Sequence, residues 1–351
     1  MKPSLPLLCA AALALLAPLA HAEVIHLNET FADGSRLDQN LPSTAAWYSS
    51  STATNLFAGS GVLTQNIGSG GRHLIAYFAD APVTIAVGEV MEVTATISFN
   101  VPANVSGAFR VGLFNSNGGT RIAADNQGGT SAGNSAWCEL YRGYRSDMNL
   151  VPAVGSTNVT LRKREPAIQG LLLANAAYDP QPSYTTSANH YEVLTQVPYT
   201  VTLSIHRTGE NRVRISYQMT GANFNTIFAT GQDETNVNSA FDSIAFGTTS
   251  NATSSFSLTQ VTVRTYDRAP VAVDTPSLLV APSDQNLLLV SSSQVGAYYR
   301  VQRTANLSGG TWANVGWEVP GTGGNLEWLI STAALPEGPH PQYFFRIAGN
   351  P

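Results

Sequence analysis

The chain has 351 residues, a formal net charge of -5 and only 12% charged side chains. It carries no basic run, which excludes the electrostatic footprint of a nucleic-acid-binding protein. Of its two cysteines, Cys9 lies in the leading apolar segment, so Cys138 has no partner in the rest of the chain, and stability must come from core burial.

In chain order, Met1-Lys2 supplies a positive start, "LPLLCAAALALLAPLA" a short apolar stretch and Ala20-His21-Ala22 a small-x-small cleavage site. That is the pattern of an export signal over residues 1–22. The apolar run contains prolines and polar sequence follows at once, so no membrane insertion is expected. The expected location is secreted, extracellular or periplasmic. Ser, Thr, Asn, Gln and Gly supply the polar surface that charged residues do not.

From residue 23 onward, period-two alternation dominates. In "VTATISF", Val93, Ala95, Ile97 and Phe99 point one way and Thr94, Thr96 and Ser98 the other. "YTVTLSIH" alternates in the same way, and after "TGEN" so do Val213, Ile215, Tyr217 and Met219, which predicts a hairpin. "AFRVGLF" (108–114), "FDSIAFG" (241–247) and "SFSLTQVTVRTY" (255–266) read as further strands, the last bulged near Gln260. Gly- and Asn-rich stretches such as "NSNGG" and "NQGGTSAGNS" supply turns. "DRAPVAVDTPS" (267–277) reads as a linker. Six short apolar runs then follow over 278–351, enough for a small β-sandwich. The expected architecture is all-β: a sandwich over 23–266, the linker, and a second, smaller sandwich.

The phrases "ETFADGSRLDQNLPSTAAWYSS", "RHLIAYFADAPVTIAVGEVMEVTATISF", "FRVGLFNSNGG" and "FDSIAFGTTSNATSSFSLTQVTV" follow one another in an order that resembles the concanavalin-A-like jelly rolls. The likeness is to the LamG and glucanase type in secreted proteins of Verrucomicrobia-type bacteria. "YYRVQRTANLSGGTWANVG" and "QYFFRI" resemble the small immunoglobulin- or fibronectin-like sandwich appended to many such proteins. The resemblance implies a jelly-roll fold, an accessory C-terminal module and a polysaccharide or cell-surface glycan as partner. It leaves the oligomeric state open. Jelly rolls of this kind host glucanases, lyases and lectins, so activity has to be read from side chains.

A retaining glucanase needs two carboxylates about 5–5.5 Å apart, and these enzymes show Glu-x-Asp-x-x-Glu. No such run exists, and the spacing of Glu89 and Glu92 puts them on opposite faces of a strand. A polysaccharide lyase needs a cation to neutralise the uronate and a Tyr or His to take a proton. Arg142, Arg145, Tyr141, Tyr144, His206 and "LRKRE" (161–165) supply those types, but the strand order departs from that of alginate-lyase jelly rolls. "GTSAG" (129–133) matches a nucleophile elbow in letters only, since neither a buried strand nor a helix flanks it. The histidines show no paired metal spacing. No cofactor is expected. A structural calcium at the sandwich rim is the open alternative, with Glu29, Asp33 and Asp38, or Asp125, as oxygen donors.

The segment richest in chemistry is "AWCELYRGYRSDMNLV" (136–151). Read as one strand, it places Trp137, Glu139, Tyr141 and Arg145 on one face, and Cys138, Leu140, Arg142 and Tyr144 on the other. Cys138 and Leu140 are then the expected buried anchors, with Gly143 a site for a bulge. Sugars offer apolar C–H faces to aromatic rings and hydroxyls or carboxylates to guanidinium groups. Trp137, Tyr141, Arg142, Tyr144, Arg145 and His206 are therefore the candidate carbohydrate-binding residues. The leading expectation is a non-catalytic, lectin-like protein. The alternatives are a polysaccharide lyase, a glycoside hydrolase, or a cell-surface structural or adhesive protein.

Overall fold

The computed structural model describes residues 23–67, 70–102, 107–126, 136–151, 158–166, 172–173, 178–180, 184–186, 191, 193–222, 224–249, 252–268, 277–280, 286–294, 297–306, 311–321, 324–331 and 344–350. The expected signal over 1–22, the "GTSAG" stretch and most of the expected linker lie outside the described residues. In chain order the strands are β1 (Val24–Glu29), β2 (Trp47–Ser49), β3 (Leu56–Gly59), β4 (Val62–Asn66), β5 (Arg72–Tyr77), β6 (Val83–Thr84), β7 (Glu89–Pro102) and β8 (Ala108–Asn115). They continue with β9 (Arg142–Asn149), β10 (Val159–Arg164), β11 (Tyr178–Pro180), β12 (Tyr184–Thr186), β13 (Tyr199–Gly209), β14 (Arg212–Gly221), β15 (Phe224–Asp233), β16 (Ala240–Phe241), β17 (Ser243–Thr248) and β18 (Thr253–Asp267). The C-terminal unit adds β19 (Ser277–Val280), β20 (Asn286–Ser292), β21 (Tyr298–Thr304), β22 (Ala313–Pro320), β23 (Asn325–Ser331) and β24 (Phe344–Asn350). No helix among the described residues is long and apolar enough to cross a membrane.

Two antiparallel sheets make a jelly-roll sandwich. One runs β12-β15-β14-β13-β7-β18-β4-β3, with β1 also on β18, and the other β11-β10-β9-β8-β17-β5-β2. The alternation explains the layers. Met91, Val93, Ala95, Ile97 and Phe99 of β7, and Tyr199, Val201, Leu203 and Ile205 of β13, all point into the shared core. They meet Phe109, Val111, Leu113, Ile244 and Phe246 from the opposite sheet. Each such large apolar side chain contributes roughly 1.5–3 kcal/mol by leaving water. The expected hairpin pairs Tyr199 with Gly221 through to Gly209 with Arg212, and β18 slips register between Leu258 and Gln260 as its sequence predicts.

The seven-stranded sheet departs from a half-buried strand pattern. Every residue of β8 and β17 is buried, and β5 and β9 are nearly so. A second apolar cluster explains this. Ile122, Cys138, Tyr141, Leu172 and Leu173 from the connections after β8 and β10 cover Ile75, Tyr77, Phe114 and Ala245 on the outward face. The C-terminal unit has its own core around Leu289, Tyr299, Val301 and Ile347. It pairs its strands as β19-β20-β23 and β22-β21-β24, two three-stranded sheets.

Candidate functional site

Segment 136–151 is not one strand. Ala136–Cys138 forms a 3-10 turn, Glu139 and Leu140 continue it, and β9 begins only at Arg142. The turn breaks the period of two, so the expected faces do not hold. Cys138 is buried, but Leu140, expected beside it, is 46% exposed. Tyr141, Tyr144 and Arg145, expected as ligand contacts, have no exposed surface. Gly143 forms no bulge, because β8 and β9 stay in register from Ala108↔Asn149 to Asn115↔Arg142. Its role is close approach: a Cβ there would lie 2.1 Å from the Leu113 carbonyl oxygen.

Tyr141 is a staple. Its hydroxyl donates to the Thr120 carbonyl at 3.0 Å and pairs with the Tyr77 hydroxyl at 2.9 Å, while Tyr77 accepts from the Ile122 amide. These bonds tie the connection after β8 to β5. Burial, then the neighbouring Tyr77 and Asp242, hold the Tyr141 proton more tightly than in an ordinary tyrosine. Tyr144 points the other way, into the core. Its hydroxyl donates to Asp233 Oδ2 at 2.7 Å and accepts from the Asn238 amide at 2.9 Å. Burial, followed by the Asp233 charge, raises its pKa too. His206 lies on the nine-stranded sheet, paired across β13 and β14 with Arg214. The six candidates therefore occupy three places rather than one.

The seven-stranded sheet brings together a different set. Asp147 stands opposite Arg110 in β8, and Arg145 stands opposite Arg162 in β10. Asp147 Oδ1 is ion-paired with Arg145 Nε at 2.7 Å and Arg110 Nε at 3.3 Å, while Oδ2 accepts from Arg162 Nε and Arg145 Nη2, each at 2.9 Å. Arg110 and Arg145 each donate a further nitrogen to the Leu173 carbonyl at 2.6 Å. Arg164 donates to the carbonyls of Cys138 and Tyr141 at 2.9 and 3.2 Å. Glycine makes room for this layer, because a Cβ on Gly112 would approach the Phe114 ring to 2.4 Å and Arg145 Cβ to 3.1 Å.

Three guanidinium groups thus share one carboxylate, while Arg164 is held by backbone carbonyls. His73 adds no charge: burial first, then Arg164 and Arg110, push its pKa down to about 3. Sequence reasoning named Arg145 of this cluster as a carbohydrate contact, and "LRKRE" only as a supply of cations for a lyase. The alternation of "LRKRE" already puts Arg162 and Arg164 on one face; what it does not give is their meeting with Arg110 and Asp147.

What remains accessible lies at the rim. Trp137 is half-buried, with Tyr141 edge-on to it at 5.4 Å between ring centroids. Arg142, also half-buried, donates to Asn117 Oδ1 at 2.7 Å. Arg162 keeps 24% of its side chain exposed.

The expected calcium donors do not assemble. Glu29 and Asp33 line one crevice of about 460 Å³ that Asp38 does not reach. Both oxygens of Glu29 already accept backbone amides, from Phe31 at 2.8 Å and Ala45 at 3.1 Å. Asp33 accepts from the Ser35 amide, and Asp125 is paired with Arg36 at 2.6 Å. Among the described residues no three His, Cys, Asp or Glu side chains form a metal-ligating group. Glu29 and Asp33 are spent on closing the chain around them, and Asp125 on holding Arg36.

No family model and no curated protein matches the chain. Among solved structures it is similar to the VIP36 exoplasmic/lumenal domain in a Ca2+/Man2-bound form, at 5% identity over 70% of this chain and 90% of that one, with a TM-score of 0.42. It is similar to lectin I from Ulex europaeus in complex with the methyl glycoside of alpha-L-fucose, at 8% identity over 69% and 98%, TM-score 0.39. A third is the endo-1,3-beta-glucanase from Streptomyces sioyaensis, at 10% identity over 70% and 97%, TM-score 0.38. At these levels the likeness assigns no activity to the chain.

Proposed function

We propose that this is a secreted, lectin-like protein whose jelly-roll domain binds a polysaccharide or cell-surface glycan without turning it over. The observation that carries the reading is the rim of the seven-stranded sheet. There Trp137 is only partly buried and edge-on to buried Tyr141, and Arg142 and Arg162 keep part of their side chains exposed. An indole takes the apolar face of a sugar ring, and a guanidinium takes its carboxylate or sulfate. The positive charge of Arg142 and Arg162 favours an acidic glycan over a neutral one. Residues 1–22 act in this reading as a removed export signal, 267–277 as a linker, and 278–351 as an immunoglobulin-like accessory module.

The buried hydroxyl of Tyr141 donates to a backbone carbonyl and holds its proton tightly, which suits a brace better than a base. The second reading, a structural or adhesive surface protein, draws on the apolar side chains that fill the middle of the outward face. Mature protein tested against neutral, uronate-bearing and sulfated polysaccharides separates the readings. Binding to the acidic ones, weakened about tenfold or more by Trp137→Ala, is the expected result. Binding to none leaves the adhesive reading, and release of unsaturated uronate products replaces both with a lyase.

A further inference from the structure

A second cluster of arginines lies on the outward face of the other sheet, where the C-terminal unit meets the jelly roll. A crevice of about 350 Å³ opens there, lined by His206, Arg212, Arg214, Gln232, Arg300 and Glu318. Arg214 comes from β14, while Arg300 and Glu318 come from β21 and β22 of the C-terminal unit. Glu318 receives Arg214 Nη2 at 2.6 Å and Arg300 Nη2 at 3.4 Å. Arg268 stands over one side of the same group, 4.3 Å from the Tyr298 ring centre, with Arg214 4.9 Å from that ring.

The charges do not balance. Among the described residues Arg214 and Arg300 share Glu318, Arg268 adds a third positive charge over Tyr298, and Arg212 is already paired with Glu234 at 2.8 Å. His206 lies 3.5 Å from Arg268 through Nδ1, and burial followed by Arg268 and Arg214 keeps its ring neutral. Arg214 is 6% exposed, and its Nη1 has no hydrogen-bond partner; neither has Arg300 Nε. A buried guanidinium nitrogen without an acceptor is costly. Here the unmet donors belong to side chains that line a cavity with room for an acceptor.

We propose that this crevice binds an oxyanion, a sulfate or carboxylate group, held by Arg214 and Arg300 and bridging the two β-units. Several donors converge on an anion with the geometry that guanidinium groups provide. Such a group has two sources, a free inorganic anion or a charged substituent of an acidic saccharide, and both meet the same donors.

The test is calorimetric titration of the full mature chain, first with sodium sulfate at constant ionic strength, then with a sulfated and a uronate oligosaccharide. Millimolar sulfate keeps general salting effects small. Saturable binding of at least one of these, weakened about tenfold or more in Arg300→Gln, is expected. Arg300 is partly exposed, so this variant should keep its fold, which circular dichroism checks. Sulfate alone saturating identifies a free anion, and only an oligosaccharide saturating identifies a glycan substituent. Equal binding by wild type and Arg300→Gln, or no saturable binding of any of the three, overturns the proposal. Arg300→Gln leaves the Trp137 rim intact, so loss here with polysaccharide binding retained there separates this site from the one proposed above.

Discussion

The two outer faces of the sandwich each gather arginines around a single carboxylate, yet they solve the surplus charge differently. On the seven-stranded sheet, Arg110, Arg145 and Arg164 turn nitrogens to the carbonyls of Leu173, Cys138 and Tyr141. The chain's own connections close over the cluster and supply its acceptors. On the nine-stranded sheet, the C-terminal unit brings one carboxylate, Glu318, and leaves a crevice with Arg214 Nη1 unmet. A cluster covered by the chain's own connections is a structural element, whereas one that lines an open crevice is a place for a ligand.

That contrast can be broken in order of expected effect. Asp147→Asn removes the carboxylate paired with Arg110, Arg145 and Arg162, and a loss of roughly 3–5 kcal/mol in denaturant unfolding is expected. Glu318→Gln should cost less, about 1–3 kcal/mol, because water or an anion can enter the crevice. Added sulfate should restore part of that loss and none of the Asp147→Asn loss. If both variants respond alike to sulfate, the distinction between the closed and open clusters fails.

Acid should sharpen the comparison further. His73 and His206 both have folded pKa values pushed down to about 3. Above the ordinary value of 6.5 both states are neutral and the two histidines give no pH dependence. Below it the unfolded chain binds protons first, so stability falls from there toward pH 3, by at most about 1.4 kcal/mol per pH unit for each histidine. Urea midpoints measured across that range should flatten in His73→Gln. Sulfate should flatten the His206 share alone, since an anion in the crevice favours the protonated ring. The smallest stability effect expected is that of Trp137→Ala, about 1 kcal/mol, because its ring is only half-buried. Its effect on glycan binding should far exceed that.

The alternation in "YTVTLSIH" and "VTATISF" determines both strands and their buried faces, because a period of two has only one way to bury Tyr199, Val201, Leu203 and Ile205 together. The same logic misreads 136–151, where the 3-10 turn at Ala136–Cys138 shifts every later side chain. Nothing in that composition distinguishes a turn from a strand, since the covering partners Ile122, Leu172 and Leu173 lie far away in sequence.

By itself, then, the sequence determines the strand pattern, the hairpins, the bulge at Gln260 and the supply of arginines, all of them consequences of local periodicity. Only the tertiary structure decides which arginines meet. Arg110 reaches Asp147, and Arg214 reaches Glu318, through pairings more than 30 and 100 residues apart. Charge clusters are set by cross-strand register and by the packing of one unit on another. Neither is written in the neighbourhood of any single residue.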